Sequence, residues 1–109
     1  MKLKSGVRLT KLSTQMVLAV LVVDGIFIKR GLECVITSAN DSKHGDNSLH
    51  YEGNAMDFRT HYTELNGLEQ GIRDEIKESL GDDFDVVLEA VGTPNEHLHV
   101  EYDPKKESV

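Results

Sequence analysis

An apolar run at residues 16–23 constrains the fold of this 109-residue chain more than any other feature. Apolar residues recur at helical spacing through and around this run, at Leu12, Met16, Ala19, Val20 and Val23. The spacing predicts a mostly buried helix over residues 11–29, with Ser13 or Thr10 as its N-cap and Gly31 ending it. A chain this short needs its most apolar segment for a core, so we assign the run to the interior.

The basic residues that precede this run give it a faint likeness to a signal peptide. However, Asp24 and Gly25 interrupt the apolar sequence, and no small-residue cleavage site follows. The run is also far shorter than the roughly 20 apolar residues that cross a bilayer. We therefore expect synthesis in a cytoplasm without a signal peptide, and no membrane insertion.

The remaining chain alternates short β-branched segments with one further amphipathic pattern. Strands are predicted at residues 33–38, 54–60, 84–90 and 97–102, a second helix at 63–80, and a polar loop at 39–49. Residues 1–9 form a basic lead-in without a predicted element, and residues 105–109 form a frayed tail. The prediction is one α+β domain over residues 1–109, with an antiparallel-type sheet of about four strands and two main helices.

Composition excludes several classes of site. Cys34 is the one cysteine, so neither an internal disulfide framework nor a cysteine-rich zinc cage is possible. The net charge of −7 divides into +4 over residues 1–43 and −11 over residues 44–109, which argues against nucleic-acid binding. All five histidines lie in the acidic part. Histidines among carboxylates suggest a metal site.

The first candidate segment runs from the polar loop into a strand. It carries His50 at the end of the loop and Asp57 within the strand. Gly53 between them tolerates a positive φ and so allows a tight turn. Ala55 shares a strand face with Asp57, which leaves space beside the carboxylate.

The second candidate segment is the last strand. His97 and His99 lie on one face of it, with Leu98 and Val100 on the other. One imidazole from each segment and one carboxylate make three ligands with an open fourth position, which is typical of catalytic zinc. Glu96, at the entrance of the strand, is a candidate base for a zinc-activated water.

These residues resemble a known superfamily. The pattern S-x-H-x-x-G-x-A-x-D, followed by E-x-x-H, resembles the M15 peptidases, which include D-Ala-D-Ala carboxypeptidases and dipeptidases of bacteria and phage endolysin endopeptidases. The stretch SLHYEG and the H-x-H pair also resemble the signalling domain of hedgehog proteins, which shares that fold and zinc site. The two motifs occur in the family's order, 42 residues apart from Asp57 to His99.

The resemblance implies a hedgehog/DD-peptidase-like fold and one Zn²⁺ per chain, bound by His50, Asp57 and His99. It implies that Glu96 is the general base and then the acid for the leaving amine. His97 and His44 would lie beside the metal, where they could orient water, donate to an oxyanion or bind a substrate carboxylate.

Several neighbouring residues have open roles. Ser48 and Tyr51 are candidate substrate contacts, although Ser48 could equally shape the loop and Tyr51 could fill a gap. We expect Arg59, two residues beyond Asp57 on the same face, to pair with a carboxylate. Many M15 carboxypeptidases carry a substrate-binding arginine after the Thr-Ser strand end, whereas here Lys43 or His44 would have to replace it.

The function that the resemblance implies is a zinc metallopeptidase acting on the stem peptide of peptidoglycan. Either a D-Ala-D-Ala carboxypeptidase or an L-alanyl-D-glutamate endopeptidase fits, and a phage lysis enzyme acting at the bacterial cell wall is one form of it. The alternative is a zinc-stabilised, hedgehog-like binding module without turnover. The oligomeric state is open, with a monomer favoured.

Overall fold

The computed structural model combines two helices with one sheet, and it describes residues 1–39 and 53–104. The elements are β1 (Lys2–Leu3), α1 (Thr14–Lys29), β2 (Val35–Ser38), β3 (Ala55–Arg59), a 3₁₀ turn (Thr63–Leu65), α2 (Glu69–Leu80), β4 (Phe84–Glu89) and β5 (His97–Tyr102). The strand order is β1-β2-β3-β5-β4. The predicted α+β class is therefore confirmed.

The sheet has five strands rather than about four, and it is mixed. The additional strand, β1, lies within the predicted lead-in and pairs with β2 in parallel, with Lys2 opposite Val35 and Leu3 opposite Ile36. The other pairs are antiparallel, as predicted. A two-residue strand is too short to produce an alternating pattern, so the sequence could not reveal it.

Helix α1 begins and ends at recognisable signals. The Ser13 hydroxyl accepts a hydrogen bond from the Met16 backbone N–H at 3.2 Å, which makes Ser13 the N-cap. The helix ends at Lys29, and Gly31 follows with a φ of 72°. The predicted end at residue 29 is correct. The helix starts at Thr14 rather than at residue 11, because Ser13 is its cap.

Helix α1 is buried on one side only, so the prediction of a mostly buried helix is wrong. Its inner side consists of Met16, Ala19, Val20, Val23, Ile26 and Phe27, all buried. Its outer side exposes Val17, Leu18, Leu21 and Ile28. A helix that covers a sheet in a two-layer domain has one face left for solvent. In the described chain, neither helix has the length and hydropathy that a membrane span requires.

The predicted second helix is divided. Residues 63–65 form the 3₁₀ turn, and α2 starts only at Glu69 because Gly67 adopts a φ of 88° that no α-helix contains. Leu68 is consequently 40% exposed instead of facing the core. Ile72 and Ile76 are fully buried, as the amphipathic spacing predicts.

The core lies between the two helices and one face of the sheet. On that face β3 contributes Met56 and Phe58, and β5 contributes Leu98 and Val100, all with no exposed surface. Because strand side chains alternate, residues 55, 57 and 59 of β3 and 97, 99 and 101 of β5 project from the opposite face. That face carries the candidate functional residues.

Candidate metal centre and its cleft

Strand register brings the two predicted segments together. Asp57 on β3 is the cross-strand partner of His99 on β5, and Arg59 is the partner of His97. Strand β4 adds Glu89 opposite His97. The predicted shared face of His97 and His99 is therefore confirmed.

Asp57 lies between two imidazoles. Its Oδ1 is 2.7 Å from His99 Nδ1, and its Oδ2 is 3.9 Å from His97 Nε2. His99 Nε2 also lies 2.7 Å from Glu101 Oε1, and His97 Nε2 lies 2.8 Å from Glu89 Oε1. The result is a row of alternating carboxylates and imidazoles across three strands. Glu89 and Glu101 thus each contact one of the two histidines.

The electrostatics of this row favour protonated histidines. Burial alone would lower the pKa of His99, but its hydrogen bonds to Asp57 and Glu101 raise that pKa to about 9. Burial likewise opposes protonation of His97, yet the Asn95 carbonyl and the Glu89 carboxylate raise its pKa overall. Two carboxylates around each ring thus supply the negative charge that a cation needs.

Donors in this row are close enough to hold a metal ion. Ligand atoms of Asp57, Glu89 and His97 all lie within 4.8 Å of one another. Asp57 Oδ1 and His99 Nδ1, at 2.7 Å, share a hydrogen bond that a bound metal ion would replace. Imidazole nitrogen and carboxylate oxygen are both ligands that Zn²⁺ accepts, so the donor chemistry fits a zinc ion. The predicted set of His50, Asp57 and His99 shares Asp57 with this three-residue group.

Glu96 precedes β5, as predicted, but its carboxylate is engaged elsewhere. Its Oε1 accepts a hydrogen bond from the Thr60 hydroxyl at 2.7 Å, and its Oε2 accepts one from the Gly92 backbone N–H at 3.1 Å. The residue is 5% exposed. Burial opposes ionisation, but the two hydrogen bonds outweigh it and lower the pKa of Glu96.

A cleft of about 290 Å³ lies beside Asp57 and His97. Lys4, Ser38 and Arg59 line it, and Glu96 lies at the boundary between this cleft and a neighbouring cavity. Ser38 Oγ is buried and has no hydrogen-bond partner within residues 1–39 and 53–104. Ser38 is the cross-strand partner of Asp57. The cleft therefore joins one unsatisfied hydroxyl and two cations to the metal-donor row.

Sequence reasoning did not place Lys4 or Ser38 at the site. Lys4 lies there because β1 pairs with β2, a long-range pairing without a sequence signal. Arg59 was expected to pair with a carboxylate, and no ion pair joins it to another residue of the described ranges. Ser38 is the last residue of the strand predicted at 33–38, and this position could have pointed to it.

Four predicted site residues lie outside the described residues. They are His44, Ser48, His50 and Tyr51, all within residues 40–52. The predicted loop at 39–49 and the tail at 105–109 also fall almost wholly outside. The described end of this segment is Gly53, which has the positive φ that the sequence predicted, at 75°.

Comparison of the chain with protein-family models, curated proteins and solved structures gave no significant match. The resemblance to M15 peptidases therefore rests on the residues of the two motifs. What the fold adds is their proximity, since Asp57 and His99 belong to different motifs and contact each other.

Proposed function

We propose that this protein is a zinc-dependent metallopeptidase that hydrolyses peptide bonds in the stem peptides of bacterial cell walls. The observation that carries the proposal is the contact between Asp57 and His99, one from each motif, on the open face of the sheet. Two potential zinc ligands 42 residues apart in sequence meet beside a polar cleft.

His50, Asp57 and His99 would hold one Zn²⁺ per chain. When bound, zinc supplies Lewis-acid polarisation of the scissile carbonyl and a lowered pKa for the attacking water. Glu89 and Glu101 orient the imidazoles that they contact, as carboxylates beside metal-bound histidines commonly do. His97, 3.9 Å from Asp57, would donate to a developing oxyanion once its Nε2 exchanges Glu89 for substrate, and His44 would assist it.

Glu96 is the proposed proton carrier. One of its oxygens takes a proton from the attacking water, and the same carboxyl returns it to the leaving amine. The lowered pKa leaves the carboxylate ionised at neutral pH and makes it a weaker base, which then releases the proton readily to the leaving amine. For this role one oxygen must exchange its partner, Thr60 or Gly92, for water.

Two cations of the cleft can pair with a substrate carboxylate. Lys4 and Arg59 line it beside Asp57 and Glu96, whose carboxylates are assigned to the metal and to proton transfer. Ser38 Oγ, which has no hydrogen-bond partner among the described residues, offers a further polar contact. A carboxylate of the stem peptide matches this lining. The terminal carboxylate of D-Ala-D-Ala and the α-carboxylate of D-glutamate both meet that requirement, and Ser48 and Tyr51 would complete the contacts.

One observation favours a second candidate, a zinc-stabilised binding module without turnover. Both oxygens of Glu96 already accept hydrogen bonds, and the residue is buried. A carboxylate held in this way stabilises the turn before β5 without any catalytic role. The same metal site and cleft would then bind a cell-wall peptide without cleaving it.

Digestion of purified peptidoglycan separates the two candidates. The protein loaded with one equivalent of zinc is incubated with cell walls of several chemotypes, and mass spectrometry of the muropeptides identifies the bond that is cut. We expect new amino groups from the wild type and from Glu78→Ala, which alters an exposed side chain of α2, but none from His99→Ala. Binding of peptidoglycan without release of amino groups would establish the binding module instead.

A further inference from the structure

The outer side of α1 carries a continuous apolar surface, which we call the outer stripe. It consists of Val17, Leu18, Leu21, Gly25 and Ile28, which lie on one face because their spacing follows the helical repeat. The four large side chains are 46%, 58%, 62% and 64% exposed in that order. No other described helix or strand covers this face.

Charge is absent from the stripe. Between its first and last residue the helix contains one ionisable side chain, Asp24, and its side chain is only 20% exposed. Lys29, just beyond the stripe, is engaged in an ion pair with Glu75 of α2. The stripe therefore has nothing that would resist burial against another apolar surface.

The size of the stripe matches half of a small protein interface. Four aliphatic side chains that are 46–64% exposed leave roughly 400 Å² of apolar surface. A standard interface buries about 800 Å² per partner, and a homodimer interface is about 65% apolar, which is roughly 520 Å². The stripe thus supplies most of the apolar area that one subunit contributes to a stable dimer.

We propose that the outer stripe is the contact through which two copies of this chain form a symmetric dimer. Leu18 and Gly25 lie two helical turns apart, with Leu21 between them. When two such helices cross antiparallel about a two-fold axis near Leu21, Leu18 of each copy faces Gly25 of the other. A two-fold interface needs this kind of self-complementary surface.

Gly25 provides the space that the opposing leucine needs. A Cβ at this position would meet no atom of the described residues within 4 Å, so packing within that part of the chain does not require the glycine. Glycine in the middle of a helix is destabilising relative to alanine. A glycine here has a purpose if a second helix approaches closely at this point.

The dimer leaves both clefts accessible. The inner side of α1 packs on the core face of the sheet, whereas Asp57 and His97 project from the other face. The outer stripe is therefore separated from the cleft by the helix layer and the sheet. Pairing of two stripes places the two clefts on opposite outer sides of the dimer.

A membrane surface fits the stripe less well than a second copy does. Helices that lie on membranes carry several cations on their polar face, whereas α1 contains a single one, Lys29, and its charge is engaged by Glu75. The chain's net charge of −7 also opposes an anionic bilayer. Association with vesicles is therefore an alternative outcome that the experiment includes.

Sedimentation equilibrium of the full chain over a concentration range up to about 1 mM tests the proposal. We expect the weight-average mass to rise from 12.2 kDa towards twice that value. Leu21→Glu places two carboxylates at the two-fold axis and is expected to weaken the dimer by about 100-fold. Gly25→Leu should fill the space for Leu18 and weaken the dimer by about 10-fold or more.

Val91→Glu is the matched control, since Val91 is 64% exposed but lies in the turn before β5. This variant should associate like the wild type, and circular dichroism confirms that each variant folds. A wild type that stays at 12.2 kDa at every concentration would overturn the proposal. So would a dimer that survives both stripe substitutions, or a monomer that cosediments with anionic vesicles through Leu21.

Discussion

The two faces of the sheet use the same strands for opposite purposes. On β3 and β5, residues 56, 58, 98 and 100 are buried under the helices, while their neighbours 57, 97 and 99 form a polar row on the other face. The covered face needs only apolar side chains of suitable volume. The open face needs particular atoms at particular distances, because its carboxylates and imidazoles must satisfy one another.

This difference means that the two faces respond differently to substitution. The covered face determines whether the chain folds, and shortening its side chains lowers the free energy of unfolding. The open face holds charged side chains. The free-energy cost of burying them is offset only where they pair with each other or surround a cation. Stability should therefore depend on one face and metal binding on the other.

Gly53, where the chain enters β3, is the position where a single added methyl group should affect both faces at once. Its φ is 75°, and a Cβ would lie 2.0 Å from the Lys11 carbonyl oxygen. We expect Gly53→Ala to reduce the free energy of unfolding by more than about 3 kcal/mol in urea denaturation. Gly67→Ala is the control, with a φ of 88° and open space, and should cost only about 1 kcal/mol. Equal effects at both glycines would contradict the close contact.

His99→Ala should affect the open face alone. Zinc at about 100 times its dissociation constant stabilises a folded protein by about 2.7 kcal/mol, and this variant should lose that increment. Metal content and the change in melting temperature on adding zinc or a chelator measure the effect. His61→Ala, which alters an exposed histidine, should retain the stabilisation by zinc. Unchanged zinc binding in His99→Ala would remove this residue from the ligand set.

Val86 and Val87 compare the two faces within one strand. Val86 is 1% exposed beneath the helices, whereas Val87 is 46% exposed opposite His99. Val86→Ala should cost about 2 kcal/mol of unfolding free energy, and Val87→Ala less than about 0.5 kcal/mol. Chemical denaturation of the two variants measures both values. Similar costs would mean that the open face is also packed in solution.

Cys34 reports on the covered face, and its effect on stability is expected only at alkaline pH. Burial, reinforced by the nearby Asp24, raises its pKa to about 12 from 9.0. Below pH 9 the thiol is neutral in both the folded and unfolded states, so its contribution to stability is fully present. Between pH 9 and 12 only the unfolded thiol ionises, so stability falls with rising pH.

Thiol reagents and alkaline denaturation test this behaviour. The folded protein should resist alkylation at pH 8 and react at once in urea, because the reactive thiolate does not form in the fold. Cys34→Ala should lack the part of the alkaline loss that the thiol causes. Rapid alkylation of the folded protein would show that the start of β2 opens to solvent.

Periodicity predicted the parts of the fold in which local pattern and tertiary environment agree. The bounds of β5, the Ser13 cap and the positive φ of Gly53 all follow from local residue chemistry. The exposure of the outer side of α1 could not be predicted in this way. An apolar run contains no polar residues that would show which side faces the solvent. The division of the second helix depends on the backbone of Gly67, which a helical spacing of apolar residues does not record.

The candidate site divides in the same way. The shared face of His97 and His99 follows from strand alternation, and the meeting of His99 with Asp57 was implied by the family pattern. Lys4 reached the cleft through a strand of two residues, for which no sequence rule exists. The hydrogen bonds that engage Glu96 depend on the turn at Gly92, whose conformation is a property of the assembled sheet.

The shortness of β1 also matters for how the protein behaves at high concentration. An edge strand with a long row of unpaired backbone groups invites strands of other molecules to add to it. β1 is only two residues long, and the exposed side chain of Lys2 forms an ion pair with Glu33. The opposite edge, β4, carries Asp85 and Glu89. Charged side chains at both edges of the described sheet therefore oppose its growth into fibrils.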